Sequence, residues 1–248
     1  MQTRLHHLAA ALAATVWLAT GVQAAPPSAT NIDTVAAAVA AAPGVTLRLS
    51  YENRSIGNDG VTRDSRHSDL MVRRAGVVWI ERELPAVLRE NESHGHTHAP
   101  GPHAGHAHND AQGAPLLLRR GVDGTVAVQV VLHNQKRVID VEVGHHGNVG
   151  YGGSWAGAYW LIDPASLKRM EVVAPARNGV QSYRLRQGER ITLVDWDIAG
   201  HYARRIEQKD GHGLSSQRMT ATPVATPKPL PWDALGGYAR GDYSDLLD

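Results

Sequence analysis

The chain has 248 residues, 25 Lys plus Arg against 24 Asp plus Glu, and neither cysteine nor phenylalanine. A charge so evenly balanced lacks the basic excess or stripe that nucleic-acid binding needs. Without cysteine there are no disulfides, no thiolate metal site and no lipobox residue to carry a lipid anchor.

The first 24 residues, MQTRLHHLAAALAATVWLATGVQA, place Arg4 ahead of an apolar run from Leu8 to Thr20, with small Val22 and Ala24 behind it. This is the layout of a cleaved secretory signal peptide, and the run is too short for a comfortable membrane span. No later segment is apolar enough to cross a bilayer, so no integral membrane span is expected. Loss of Arg4 balances the formal charge, and a mature chain starting near Ala25 suffices for one domain with a real core, or two small ones. The expected location is the periplasm.

TNIDTVAAAVAAAPG then reads as a helix. Thr30 or Asn31 caps it, Asp33 sits where the helix dipole favours an acid, Ile32, Val35 and Val39 share a face, and Pro43-Gly44 ends it. From there the helical period gives way to alternation. Residues 45–51, VTLRLSY, read as a half-buried strand, GNDG at 57–60 as a turn, and 70–72 and 77–80 as strand cores around Ala75-Gly76. The pattern stops from about residue 85 to 115 and resumes at 126–132 and 138–143, with a turn at Asn134-Gln135. Beyond the glycine-rich GHHGNVGYGGSWAG, residues 158–162 read as a strand and Asp163-Pro164 as a turn. Short strands follow at 170–173, 182–185, 191–196, 203–207 and 217–221. Prolines 223, 227, 229 and 231 bar a regular helix or central strand, so residues 223–248 are expected as a Pro-rich extension running over the surface. One N-terminal helix followed by many short strands predicts a mainly β domain over residues 25–222, built on a single curved antiparallel sheet or a partly open barrel.

Four stretches carry a family likeness: VTLRLSYENRS, SDLMVRRAGVVWIERELP, YWLIDPASLKRM and VDWDIAGHYARRIEQKDGHGLSSQRMTA. In their order, more than in their letters, the chain resembles the LolA-type periplasmic lipoprotein carriers and the wider LolA/LppX-like half-barrel family. The likeness spans roughly residues 30–222 apart from the tract between 85 and 115. It implies an unclosed half-barrel whose concave face holds a fatty-acyl chain under the helix. Arg74 stands where the family's arginine would fall, which implies a role in gating or ligand release. The candidate lining is Leu49, Tyr51, Met71, Val72 and Trp79, an aliphatic wall with few aromatics, and such walls also accept an acyl chain.

Residues 93–110, SHGHTHAPGPHAGHAHND, set six histidines among Pro, Gly and Ala. Imidazole is a ligand for Zn, Cu or Ni, and three or four of His94, His96, His98, His103, His106 and His108 are close enough along the chain to wrap one ion. Ordering such a segment opposes binding, so modest affinity and loose metal choice are expected. The alternative is a tolerated low-complexity insertion between two strands. His145 and His146 are adjacent and point apart on extended chain, which suits a surface loop better than a second metal site. Gly152-Gly-Ser-Trp-Ala156 imitates a nucleophile elbow, but a Gly-rich loop precedes it and a stretch that reads as a strand follows, where the elbow needs a strand and then a helix. Asp195 and Asp197 flank Trp196 and would share a strand face, either as an acid–base pair or as solvated charges. Zinc-protease, phosphate-loop and dinucleotide motifs are absent.

No motif joins nucleophile, base and electrophile, so a non-enzymatic protein is expected, one that binds or carries an acyl, lipid or lipoprotein ligand without a required cofactor. Two alternatives stay open. One is periplasmic transition-metal binding by the tract; the other is a sensor domain that binds an envelope protein partner.

Overall fold

The computed structural model describes residues 37–39, 41–84 and 113–247. The expected signal peptide, most of the expected first helix and the whole histidine tract lie outside the described residues.

Twelve strands make up most of what is described. They are β1 (Val45–Ile56), β2 (Thr62–Arg74), β3 (Val77–Arg82), β4 (Leu116–Arg120), β5 (Val126–Leu132) and β6 (Arg137–Val141), then β7 (Glu171–Val172), β8 (Val180–Gln187), β9 (Arg190–Asp197), β10 (Tyr202–Asp210), β11 (Ser215–Pro223) and β12 (Ala239–Asp242). All join one sheet in the order 12-6-5-4-3-2-1-11-10-9-8-7. The pairings are antiparallel except that of β12 with β6. β12 and β7 are not paired with each other, so the mainly β, curved sheet is not closed into a barrel.

Strand period sorts the side chains onto two faces. In β1, Leu47 and Leu49 point inward while Arg48 lies on the opposite, exposed side. Their partners continue the inner face: Leu47 lies opposite Met71, Met71 opposite Ile80, and Ile80 opposite Leu116. The shifted row Val72, Trp79 and Leu117 faces outward.

Both faces of the sheet are covered, the outer one over the β2–β6 half. Inside lie a 3-10 segment, Val143–Val149, and two short helices, α1 (Trp155–Trp160) and α2 (Pro164–Leu167). Tyr151, Trp155, Tyr159, Trp160 and Leu167 drop from this stretch into the inner core. The strand expected at 158–162 is therefore corrected to a helix. Ser154 sets its start by accepting the Gly157 N–H at 3.0 Å, and Leu161, at φ 68°, stops it. Asp163 does more than turn the chain: its carboxylate accepts the Ala165 N–H at 2.9 Å, and Pro164 opens α2. Of the expected N-terminal helix only the last turn is described, at residues 37–39 and 41. Val39 and Ala42 are buried there, and the Ala42 N–H donates to Ala38 O at 3.1 Å.

The outer face of this half is covered by the chain's end. Leu230, Trp232, Leu235 and Tyr238, in and around the 3-10 segment Pro231–Gly237, pack on Val72, Trp79, Leu117, Val131 and Val138. β12 then pairs with β6, and Arg137 grips Asp245 at 2.7 Å. Residues after 223 are thus built into the domain, correcting the expected surface extension. Proline cannot donate to a ladder, but at the first position of a helical turn its N–H is not needed.

Candidate functional site

The concave face is largely filled by the chain itself. Leu49 and Met71 are 1% and 0% exposed, packed in one core with Tyr151, Trp155, Tyr159 and Trp160. At the centre of this packing lies Arg73, also 0% exposed. Its Nη1 donates to Tyr159 O and His201 O, both at 2.9 Å, and its Nη2 to Pro43 O at 2.9 Å and Gly200 O at 2.7 Å. Its guanidinium carbon stands 4.7 Å from the centre of the Tyr159 ring, a cation–π contact. One side chain therefore ties the segment before β1, the helix α1 and the β9–β10 turn together. Burial lowers the guanidinium pKa from its ordinary value, partly offset by Tyr159 and Tyr202, but arginine stays charged.

The β9–β10 turn is shaped for this contact. Asp197 Oδ1 accepts the Gly200 N–H at 2.6 Å, Oδ2 accepts from Arg204 Nε at 2.6 Å, and His201 takes φ 53°. Desolvation works against ionising Asp197, but the Gly200 N–H and Arg204 outweigh it and hold the carboxyl below its usual range.

Toward the β7 edge the inner face opens into a groove of about 360 Å³. Pro164, Leu167 and Lys168 form its helical side, Met170 and Val172 its edge, and Tyr183 and Trp196 its sheet side. Its size lies within the usual range of small-molecule sites. Strand period explains the floor: Tyr183 of β8 lies opposite Val194 of β9, which is fully buried, and Trp196 follows two residues on.

Leu49, Tyr51, Met71, Val72, Arg74 and Trp79 do not form one wall. Leu49, Met71 and the half-buried Tyr51 lie on the inner face. Val72 and Trp79 lie on the outer face, both fully buried beneath the chain's end. Arg74 is on that side too, donating to Val45 O, Arg73 O and Thr226 Oγ1 at 3.2, 2.7 and 3.2 Å. The reason is parity: adjacent strand residues cannot share a face. The arginine that holds the inner cover is Arg73, which has the parity of Met71. His94, His96, His98, His103, His106 and His108 lie outside the described residues, and the described residues hold no group of three or more His, Asp or Glu able to bind a metal ion.

Further residues singled out by the sequence have local roles. Ser154 caps α1. Asp195 is held by Ser182 at 2.7 Å and Arg205 at 2.9 Å, so it and Asp197 each have separate partners. His145 stacks on Tyr243 with ring centres 4.1 Å apart, whereas His146 is buried against Tyr151. A polar group lies on the inner face beside the point where the tract leaves the sheet. Tyr51 stacks on His67 at 4.6 Å, and Arg82 donates to Asp69 at 2.6 Å. Burial, reinforced by Asp69, pushes the Tyr51 phenol up; burial and Arg82 push His67 down; burial raises Asp69 despite Arg82.

No protein-family model and no curated protein matches the chain. Solved structures similar in fold include LolA superfamily and lipoprotein-sorting proteins. A putative outer membrane lipoprotein-sorting protein domain from Vibrio parahaemolyticus is 11% identical, with a TM-score of 0.33, covering 83% of this chain and 94% of its own. The LolA superfamily protein NE2245 from Nitrosomonas europaea is 8% identical, with a TM-score of 0.32 and coverages of 79% and 92%. PNGF-II is 11% identical, with a TM-score of 0.35; the match covers 82% of this chain but only 33% of that one. At these values the comparisons record a likeness of fold and carry no functional argument.

Proposed function

We propose that this chain is an exported, non-enzymatic binding protein of the periplasm that holds the acyl chain of a lipid or lipoprotein. The groove between α2 and β7–β9 carries this reading, because Leu167, Met170, Val172, Tyr183 and Trp196 line it beside the packed inner core. Arg73 holds α1 over that core. Among the described residues no helix is long and apolar enough to cross a membrane.

Native mass spectrometry of protein exported to a periplasm and purified without a metal column tests this. An adduct of lipid mass that survives deletion of residues 93–110 and is lost in Trp196→Asp is the expected result. If no such adduct forms, and added lipid does not bind, the acyl-carrier reading fails. Transition-metal binding by the tract is a second reading, resting on six histidines within residues 93–110. It predicts Zn, Cu or Ni adducts that vanish with the deletion. A chain with neither kind of adduct is better read as a sensor for an envelope protein partner.

A further inference from the structure

We infer that the ligand of this groove is a single-chain anionic amphiphile of the fatty-acid type, its carboxylate meeting Lys168 and its chain lying along Trp196. The inference rests on the groove being the acyl site. Among the described residues Lys168 is the only charged one on its lining, and its ammonium has no ion pair and no side-chain hydrogen bond there.

The carboxylates nearest along the chain are engaged elsewhere. Glu171 is held by Arg184 through Nε at 3.2 Å and Nη2 at 3.0 Å, and Asp163 accepts the Ala165 N–H. Arg169, the next residue, is exposed and adds positive charge on the same stretch. A ligand that fills the groove strips water from one side of Lys168. A neutral head group leaves that loss unbalanced, whereas a carboxylate replaces the water with a charge-assisted hydrogen bond. A single lysine on the lining matches a monoanion.

The test uses the full mature protein, stripped of lipid, and displacement of the fluorescent probe cis-parinaric acid by hexadecanoate, hexadecanol and hexadecyl phosphate. Hexadecanoate should bind about two- to fivefold tighter than hexadecanol, the range an exposed ion pair supplies. Lys168→Met should remove that preference and leave hexadecanol unchanged. Equal binding of acid and alcohol, or a preference that persists in Lys168→Met, overturns this inference while the groove stands. Tighter binding of hexadecyl phosphate overturns the carboxylate assignment. If no competitor displaces the probe, or if Trp196→Ala leaves all affinities unchanged, the acyl site itself falls. Should Trp196→Ala fail to fold, Met170→Asp, half-buried on the same wall, takes its place.

Discussion

Arg73 gathers four carbonyls from three distant stretches of chain, and each would otherwise need another donor in a buried place. Removing it leaves them unpaired, so Arg73→Met should lower unfolding free energy by about 3–5 kcal/mol, read from urea titration. Arg73→Lys should recover only part of this, because an ammonium has three donors and no planar fork. Asp197 acts on the same turn from the other side. Its folded pKa lies below the ordinary 3.8, so its ionised form stabilises the fold above that value, and the gain is lost as pH falls through the folded value. Asp197→Asn should lower the urea midpoint at neutral pH by about 1–2 kcal/mol equivalent, Arg204 being half-exposed. The two proteins' midpoints should converge in acid. If the wild-type midpoint stays parallel to that of Asp197→Asn throughout acid titration, the carboxylate is not what orders the turn.

Among the elements, the last one is the least expected. The segment Leu230–Tyr238 covers Trp79, which is fully buried and spends its indole N–H on Glu81 Oε2 at 3.0 Å. Trp79→Ala should cost about 3–5 kcal/mol by leaving a cavity between sheet and tail. A chain ended after Ala225 should bare Val72, Trp79 and Leu117 together and aggregate, which light scattering would detect. The strands were legible because alternation survives in short pieces such as VTLRLSY, and with them the open sheet. The helix α1 was not, because WAGAYW is apolar enough for either period and only the Ser154 cap decides. The tail was hidden by its prolines, which exclude a ladder but not a 3-10 turn. Leu49 and Met71 lie inward, whereas Val72 and Trp79, grouped with them as one wall, have the opposite parity. Arg73 was hidden by its charge: nothing in the letters RR says which of two arginines is inside, and parity with the buried Met71 was the available signal. The groove needs Tyr183, Trp196 and Met170 from separate elements, a meeting that no local pattern announces.

For the whole molecule, the site of the tract matters more than its length. β3 and β4 pair in register from Val77↔Arg119 to Ile80↔Leu116 on either side of it. Deletion of residues 93–110 should therefore leave the circular dichroism spectrum unchanged and move the urea midpoint by less than about 1 kcal/mol equivalent, since loop-closure entropy varies slowly with length. The remaining seam is of another kind. β1 is hydrogen-bonded to β2 on one side and to β11 on the other, with Leu47 opposite Pro223 and Ser55 opposite Ser215. Local hairpins form on each flank as soon as their own residues exist, but the join between flanks waits for a strand more than 150 residues downstream. For a chain made from its N-terminus, the two halves of the sheet therefore stay unjoined until β11 has been made.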